Sequence, residues 1–224
     1  MLREKFQNIL FSDTISAMGL SGLLKSGYLS QRHTGRPDSL LLSRNVMAEI
    51  KDSAQIDISG RFAVGILYSG ASHPHLQKSK LNISNNSTVC INAPDGNASI
   101  GPGSVVHIEG EFSMGNSYIN SHARILCGDK ITIGNECSIA WNVQIIDDNR
   151  HSLSIDGKRR PQTRPISIAD DVWIGHDVTI KKGVKVGKGA VIGSNSVVTK
   201  NVPPHVLATG SPATVVSENI EWGF

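Results

Sequence analysis

Residues 168–198 read IADDVWIGHDVTIKKGVKVGKGAVIGSNSVV. Every sixth position is a β-branched aliphatic: Ile168, Ile174, Ile180, Val186, Ile192 and Val198. Two positions before the later five stand small or branched residues, Val172, Val178, Val184, Ala190 and Ser196. Gly175, Gly183, Gly187, Gly189 and Gly193 fall between them. A helix repeats every 3.6 residues and a half-buried strand every two, so a period of six fits neither. It fits a coil of short strands and tight corners in which each strand sends one aliphatic side chain inward. Glycine allows corner geometry that a Cβ resists. Hexapeptide repeats are a β-helix signature, and such coils stack at about 4.8 Å.

Toward the N-terminus the same step recurs in shorter registers. Ile133, Ile139 and Ile145 form one, Ile119, Ile125 and Ile131 another, and Ile100, Val106 and Phe112 a third. Ile83 and Val89 precede these, and Ile50, Ile56, Phe62 and Tyr68 begin the series weakly. Each change of register implies a corner with extra residues, and Asn92 to Asn97 reads as a loop. From Ile145 to Ile168 the chain runs 23 positions where six would continue the coil. About 17 residues are therefore extra, and the segment 147–165, DDNRHSLSIDGKRRPQTRP, is polar and basic. Long insertions without structure of their own in compact domains are functional or disordered. This one is expected to leave the solenoid as a loop-like arm.

The expected division is a helical and turn segment over 1–45, a β-helix over 46–200 with the extruded loop 147–165, and a capping tail over 201–224. Leu2, Phe6, Ile9 and Leu10 share a helical face, and Leu20, Leu23 and Leu24 extend an apolar stripe expected to pack against the solenoid end or a neighbouring subunit. Gly27 and the Gly35–Asp38 cluster read as turns. The tail, ending at Trp222 and Phe224, is expected to cover the open strand edge of the last coil.

Hydrophobic residues make up 39% of the 224 and aromatics 5%, as a narrow Ile/Val core requires. The net charge of +3 without a Lys/Arg run gives no reason to expect nucleic acid. Cys90, Cys127 and Cys137 lack CxxC spacing and read as small buried residues. No uninterrupted apolar signal segment or 18-residue span is seen. A cytoplasmic protein with no integral membrane segment is expected, at most peripheral at the inner membrane face.

The run TIGNECSIAWNVQIIDDNRH, the arm, and PISIADDVWIGHDVTIKKGVKVGKGAVIGSNSVVTKNVPPHVLATGSPATVV resemble the hexapeptide acyltransferases. Nearest are the maltose and galactoside O-acetyltransferases and the capsule and O-antigen polysaccharide O-acetyltransferases. The resemblance covers about residues 119–216. It implies a left-handed parallel β-helix, a homotrimer with sites between subunits, acetyl-CoA as donor and a saccharide hydroxyl as acceptor. It places His151 at the catalytic histidine, Asn120 at an active-site asparagine and Trp173 at the tryptophan near the centre. Asp147 keeps the first carboxylate of an Asp-x-Asp-x-His pattern, and Asn149 replaces the second. Ala140, His176, Ser194, Thr199 and Lys200 align with the CoA groove. His176 is bulkier than the serine or glycine usual there. Two CoA-binding arginines are replaced by Thr214 and Ser217, leaving Lys182, Lys185, Lys188 or Lys200 to hold phosphate.

Acetyl transfer to a hydroxyl needs a base that titrates near neutrality, which suits histidine, and donors for the tetrahedral oxyanion. Metal catalysis would need three or four converging ligands. His73, His75, His107 and His122 lack that spacing, so no metal is expected. Arg150, Lys158, Arg159, Arg160 and Arg164 read as a solvated arm. The alternatives are an N-acetyltransferase acting on an amino sugar, an antibiotic acetyltransferase and a trimeric scaffold. The coil alone requires none of His151, Asn120 and Trp173, which favours an enzyme.

Overall fold

The computed structural model describes residues 20–66 and 77–223. The features expected of Leu2, Phe6, Ile9, Leu10, Tyr68, His73, His75 and Phe224 lie outside them. The fold is the expected all-β parallel solenoid. Ile168 pairs with Val186, Ile174 with Ile192 and Ile180 with Val198, so one turn takes 18 residues on three faces. Face 1 carries strands Glu111–Gly115, Lys130–Ile133, Ile166–Ile168 and Lys185–Val186. Face 2 carries Tyr118–Ile119, Ser138–Ile139, Trp173–Ile174, Val191–Ile192 and Val206–Gly210. Face 3 stacks seven strands from Val46–Ile50 to Val197–Val198.

The described six-step residues from Phe62 onward are buried, while Ile50 and Ile56 pack against the core half-buried. Polar backbone groups at the corners are met by side chains. Asn135 Oδ1 accepts the Asn116 N–H at 3.0 Å, and Asp170 Oδ1 accepts that of Asn135 at 2.7 Å. The corner between faces 2 and 3 holds His122, Asn142, Asp177 and Asn195 at φ of 58–62°. Residues of this kind tolerate the left-handed region better than branched ones.

Several elements differ from the sequence reading. Asn92 to Asn97 lies within one strand, Thr88–Ile100, which bends round a corner beside Gln55–Val64. Gly60 makes this possible, because a Cβ there would stand 1.9 Å from Ala93 O at φ +87°. The solenoid starts before residue 46, since Leu40–Leu42 pairs with Phe62–Val64. A helix spans 20–34, running through Gly27 and ending at Gly35, whose N–H reaches Gln31 O at 3.1 Å with φ +70°. The stripe does not lie on the face that meets the solenoid. Leu20 and Leu24 are 75% and 67% exposed. Gly22, Ser26 and Ser30 face the edge strand instead: Ser26 Oγ accepts the Leu42 N–H at 2.8 Å and Ser30 Oγ that of Leu40 at 3.0 Å. The helix thus caps an edge that would otherwise present free N–H groups. Cys127 and Cys137 are buried as expected, but Cys90 is exposed. The tail strand Ala213–Glu218 folds back antiparallel on Val206–Gly210 and covers the last edge of face 2.

Candidate active site

Ile139 pairs with Ile174, 35 positions on, where 18 would complete a turn, so the arm adds 17 residues. It leaves the corner between faces 3 and 1 and is more ordered than a loop. Leu153–Ile155 and Lys158–Arg160 form an antiparallel hairpin turned at Asp156 and Gly157, with φ of 51° and 71°. An Asp-Gly pair at positive φ makes a tight hairpin turn whose twist matches the strands. Both strands are exposed and, among the described residues, pair only with each other.

The arm's root is fastened at several points. Asp147 is fully buried, and its carboxylate accepts the N–H groups of Gly128 at 2.7 Å, Asp129 at 3.0 Å and Lys130 at 2.8 Å. Burial pushes this carboxyl up from its ordinary value, while the three amides pull it back. Burial and the nearby Asp147 push the Cys127 thiol up to about 12. Arg164 N–H donates to Asp147 O at 3.0 Å, Asn149 N–H to Gln162 O at 3.1 Å, and Lys182 Nζ to Gln162 O at 2.9 Å. Arg150 is not simply solvated: its Nη1 lies 2.6 Å from Glu109 Oε2. His151 follows, exposed and with no hydrogen bond among the described residues.

Four of the other expected residues, Asn120, Ala140, His176 and Ser194, stand on a different corner. Asn120, Ala140, Gly175 and Gly193 stack in one ladder between faces 2 and 3. Asn120 Oδ1 accepts the Ser121 N–H at 2.7 Å. That bond identifies the oxygen, because an amide N–H can only donate, and it leaves the Nδ2 donors for a ligand. Beside this ladder run Trp141, His176 and Ser194. The His176 ring lies flat on Trp141, centroids 4.9 Å apart at 3°. Its Nδ1 is 2.7 Å from Asp177 Oδ2, and Asn142 holds the other carboxylate oxygen. The His176 hydrogen bond keeps the Asp177 carboxyl below its ordinary value. Trp141 was not singled out from the sequence, although the 35-residue offset places it under His176.

Trp173 projects from face 2, 44% exposed, against Trp222 at 6.0 Å, and Trp222 Nε1 donates to Asp171 O at 2.7 Å. Thr199 and Lys200 are exposed at the arm's corner, one turn above Lys181 and Lys182. Of the lysines that could hold phosphate, Lys182 is bonded to the arm and Lys188 pairs with Asp171 at 3.2 Å. Lys185 and Lys200 are exposed, with no ion pair among the described residues. Among the described residues no group of three His, Cys, Asp or Glu side chains is placed to hold a metal ion. His107 is hydrogen-bonded to Glu109 and His122 to Gln77. No described helix is long and apolar enough to cross a membrane.

Residues 165–200 match the bacterial transferase hexapeptide (six repeats) family. The galactoside O-acetyltransferase of Escherichia coli (strain K12) is 38% identical over 119 residues, which are 52% of this chain and 55% of that protein. The chain thus spans about half the length of this curated relative. A hexapeptide-repeat acetyltransferase of Vibrio cholerae O1 biovar eltor, solved with acetyl coenzyme A, is 36% identical over 48% of this chain and 60% of that chain, with a TM-score of 0.43. An N-acyltransferase from Bacillus cereus, solved with dTDP and 3-hydroxybutyryl-CoA, aligns over 80% of this chain and 79% of its own at 15% identity and a TM-score of 0.51. That last likeness is one of fold alone. The resemblance read from the repeats is borne out, and the fold is the left-handed β-helix it implied.

Proposed function

We propose that this chain, whose repeats belong to the bacterial transferase hexapeptide family, is an O-acetyltransferase that moves acetyl from acetyl-CoA to a saccharide hydroxyl. The observation that carries this reading is the 38% identity to a galactoside O-acetyltransferase. The acceptor we favour is a surface polysaccharide or its precursor, and the protein acts in the cytoplasm as a homotrimer. His151 is the base. Its imidazole takes the hydroxyl proton as the oxygen attacks the thioester carbonyl carbon. Negative charge gathers on the carbonyl oxygen, where Asn120 Nδ2 or a backbone N–H stabilises it. The C–S bond then breaks, and the leaving CoA thiolate recovers the proton from the imidazolium.

The CoA groove runs along Ala140, His176 and Ser194, with Thr199 and Lys200 beyond it and Trp173 flanking the centre. His176 narrows this path, and Lys185 and Lys200 are the cations left to meet phosphate. Asp147 acts indirectly by bracing the arm root. The exposed position of His151 and the free amide of Asn120 support these roles. Thioester consumption with a panel of saccharides tests the reading. General-base catalysis contributes about 10²–10⁴-fold. His151→Ala should lower kcat by that factor, keep the fold and acetyl-CoA binding, and abolish the ascending limb of the pH–rate profile. Wild-type turnover in this variant would make His176, already paired with a carboxylate, the next base to test.

A further inference from the structure

Arg150 is in the left-handed region at φ +61°. The other non-glycine residues there among those described are Asn, Asp, His or Glu, so an arginine needs an explanation. Sustained backbone strain requires surroundings that hold it. Here the Arg150 N–H donates to Asp148 Oδ1 at 2.7 Å, its Nε lies 3.5 Å from Asp148 Oδ2, and its Nη1 donates to Glu109 Oε2 at 2.6 Å. Asp148 is 5% exposed and also accepts Gln162 Nε2 at 3.2 Å. Glu109 is held from the far side by His107, Nε2 to Oε1 at 2.7 Å. Those bonds keep the Glu109 carboxyl below its ordinary value, the His107 bond foremost. The chain of contacts ties both sides of the arm's root, at Asp148 and Gln162, and a lower coil, at Glu109, to one guanidinium. The next residue is His151.

We infer that Arg150, clamped between Glu109 and Asp148, is a positioning residue that sets the direction in which His151 leaves the arm. Neither Arg150 nor Glu109 touches the reacting atoms in this scheme. Their effect passes through the backbone at 150, which orients the Cα–Cβ bond of 151. The inference rests on the reading of His151 as base, and it adds residues that the family pattern did not supply. Misplacing a catalytic group by about 1 Å can cost roughly 10²-fold in rate.

Two measurements test it. In the unliganded protein, Glu109→Gln should move and broaden the His151 ring resonances. Arg150→Gly, which relieves the strain but removes the clamp, should do the same. Glu109→Gln should also lower kcat by roughly 10- to 100-fold with KM for acetyl-CoA unchanged. In the His151→Ala background it should have no further effect, because no base remains to be misplaced. Unchanged His151 resonances would overturn the clamp whatever the activity. So would a full Glu109→Gln penalty in the His151→Ala background, which would mark a general effect on stability. An inactive wild type with every saccharide would instead remove the acetyl-transfer reading, while the resonances still report on the clamp.

Discussion

A carboxylate can stand next to a base without orienting it. Asp147, the first carboxylate of the Asp-x-Asp-x-His pattern, turns its oxygens to three amides of the coil below. Asp147→Ala would leave those buried N–H groups without an acceptor and should cost roughly 3 kcal/mol, since an unmade buried hydrogen bond costs about 1–3 kcal/mol. Asp147→Asn should cost less, because one amide oxygen still accepts. Urea titration reads this as a lower midpoint at constant slope. At temperatures where the Asn variant is fully folded, its kcat should stay close to wild type, and a large loss would return Asp147 to the catalytic machinery. The neighbourhood of His151 was legible from the sequence through the Asp-rich head of the arm. The partners of that head were not, because Glu109 lies two coils away and no periodicity links it to Arg150. Trp141 was legible in principle, since a fixed offset between turns predicts what stacks on what.

Among the elements, the solenoid was readable because one inward side chain every six residues is a repeated constraint. Single elements outside the repeat carry no such redundancy. The helix over 20–34 turned Leu20, Leu23 and Leu24 outward, while Leu29 packs against the core, because its small residues serve the edge strand and hydrogen bonding to exposed N–H groups decided the face. The arm is a hairpin that Asp156-Gly157 announces, though its strands are too polar to show a buried alternation. Since these strands, among the described residues, pair only with each other, deleting 153–160 and joining the ends with Gly-Ser should leave the stacked coils intact. Loop closure entropy changes only with the logarithm of length. The melting temperature should move by no more than a few degrees, while turnover with the saccharide should fall if the hairpin walls the proposed acceptor site. Collapse of the fold on deletion would mean that the hairpin packs on the core. The root, 161–164, must stay, because Gln162 and Arg164 bond to it on both sides.

At the scale of the whole molecule, Asn120 and His151 leave one chain from different corners, with face 3 between them. Its strand Arg124–Cys127 has four residues, about 13 Å at the usual rise. Three prisms packed around an axis would bring one corner of each subunit against another corner of its neighbour, and closed rings of identical contacts are the common form of assembly. The site would then take Asn120 from one subunit and His151 from the next. Light scattering should give a trimer. Co-expression gives a sharper test than mass. His151→Ala and Asn120→Ala should each be nearly inactive alone. In a random mixture of the two, a competent site needs an intact histidine from one subunit and an intact asparagine from its neighbour, which occurs in about a quarter of the interfaces. The mixture should therefore recover about a quarter of wild-type turnover, and homotrimers purified from it by distinct tags should not. A site built within one chain would give no recovery at any mixing ratio, since each chain would lack one of its two groups.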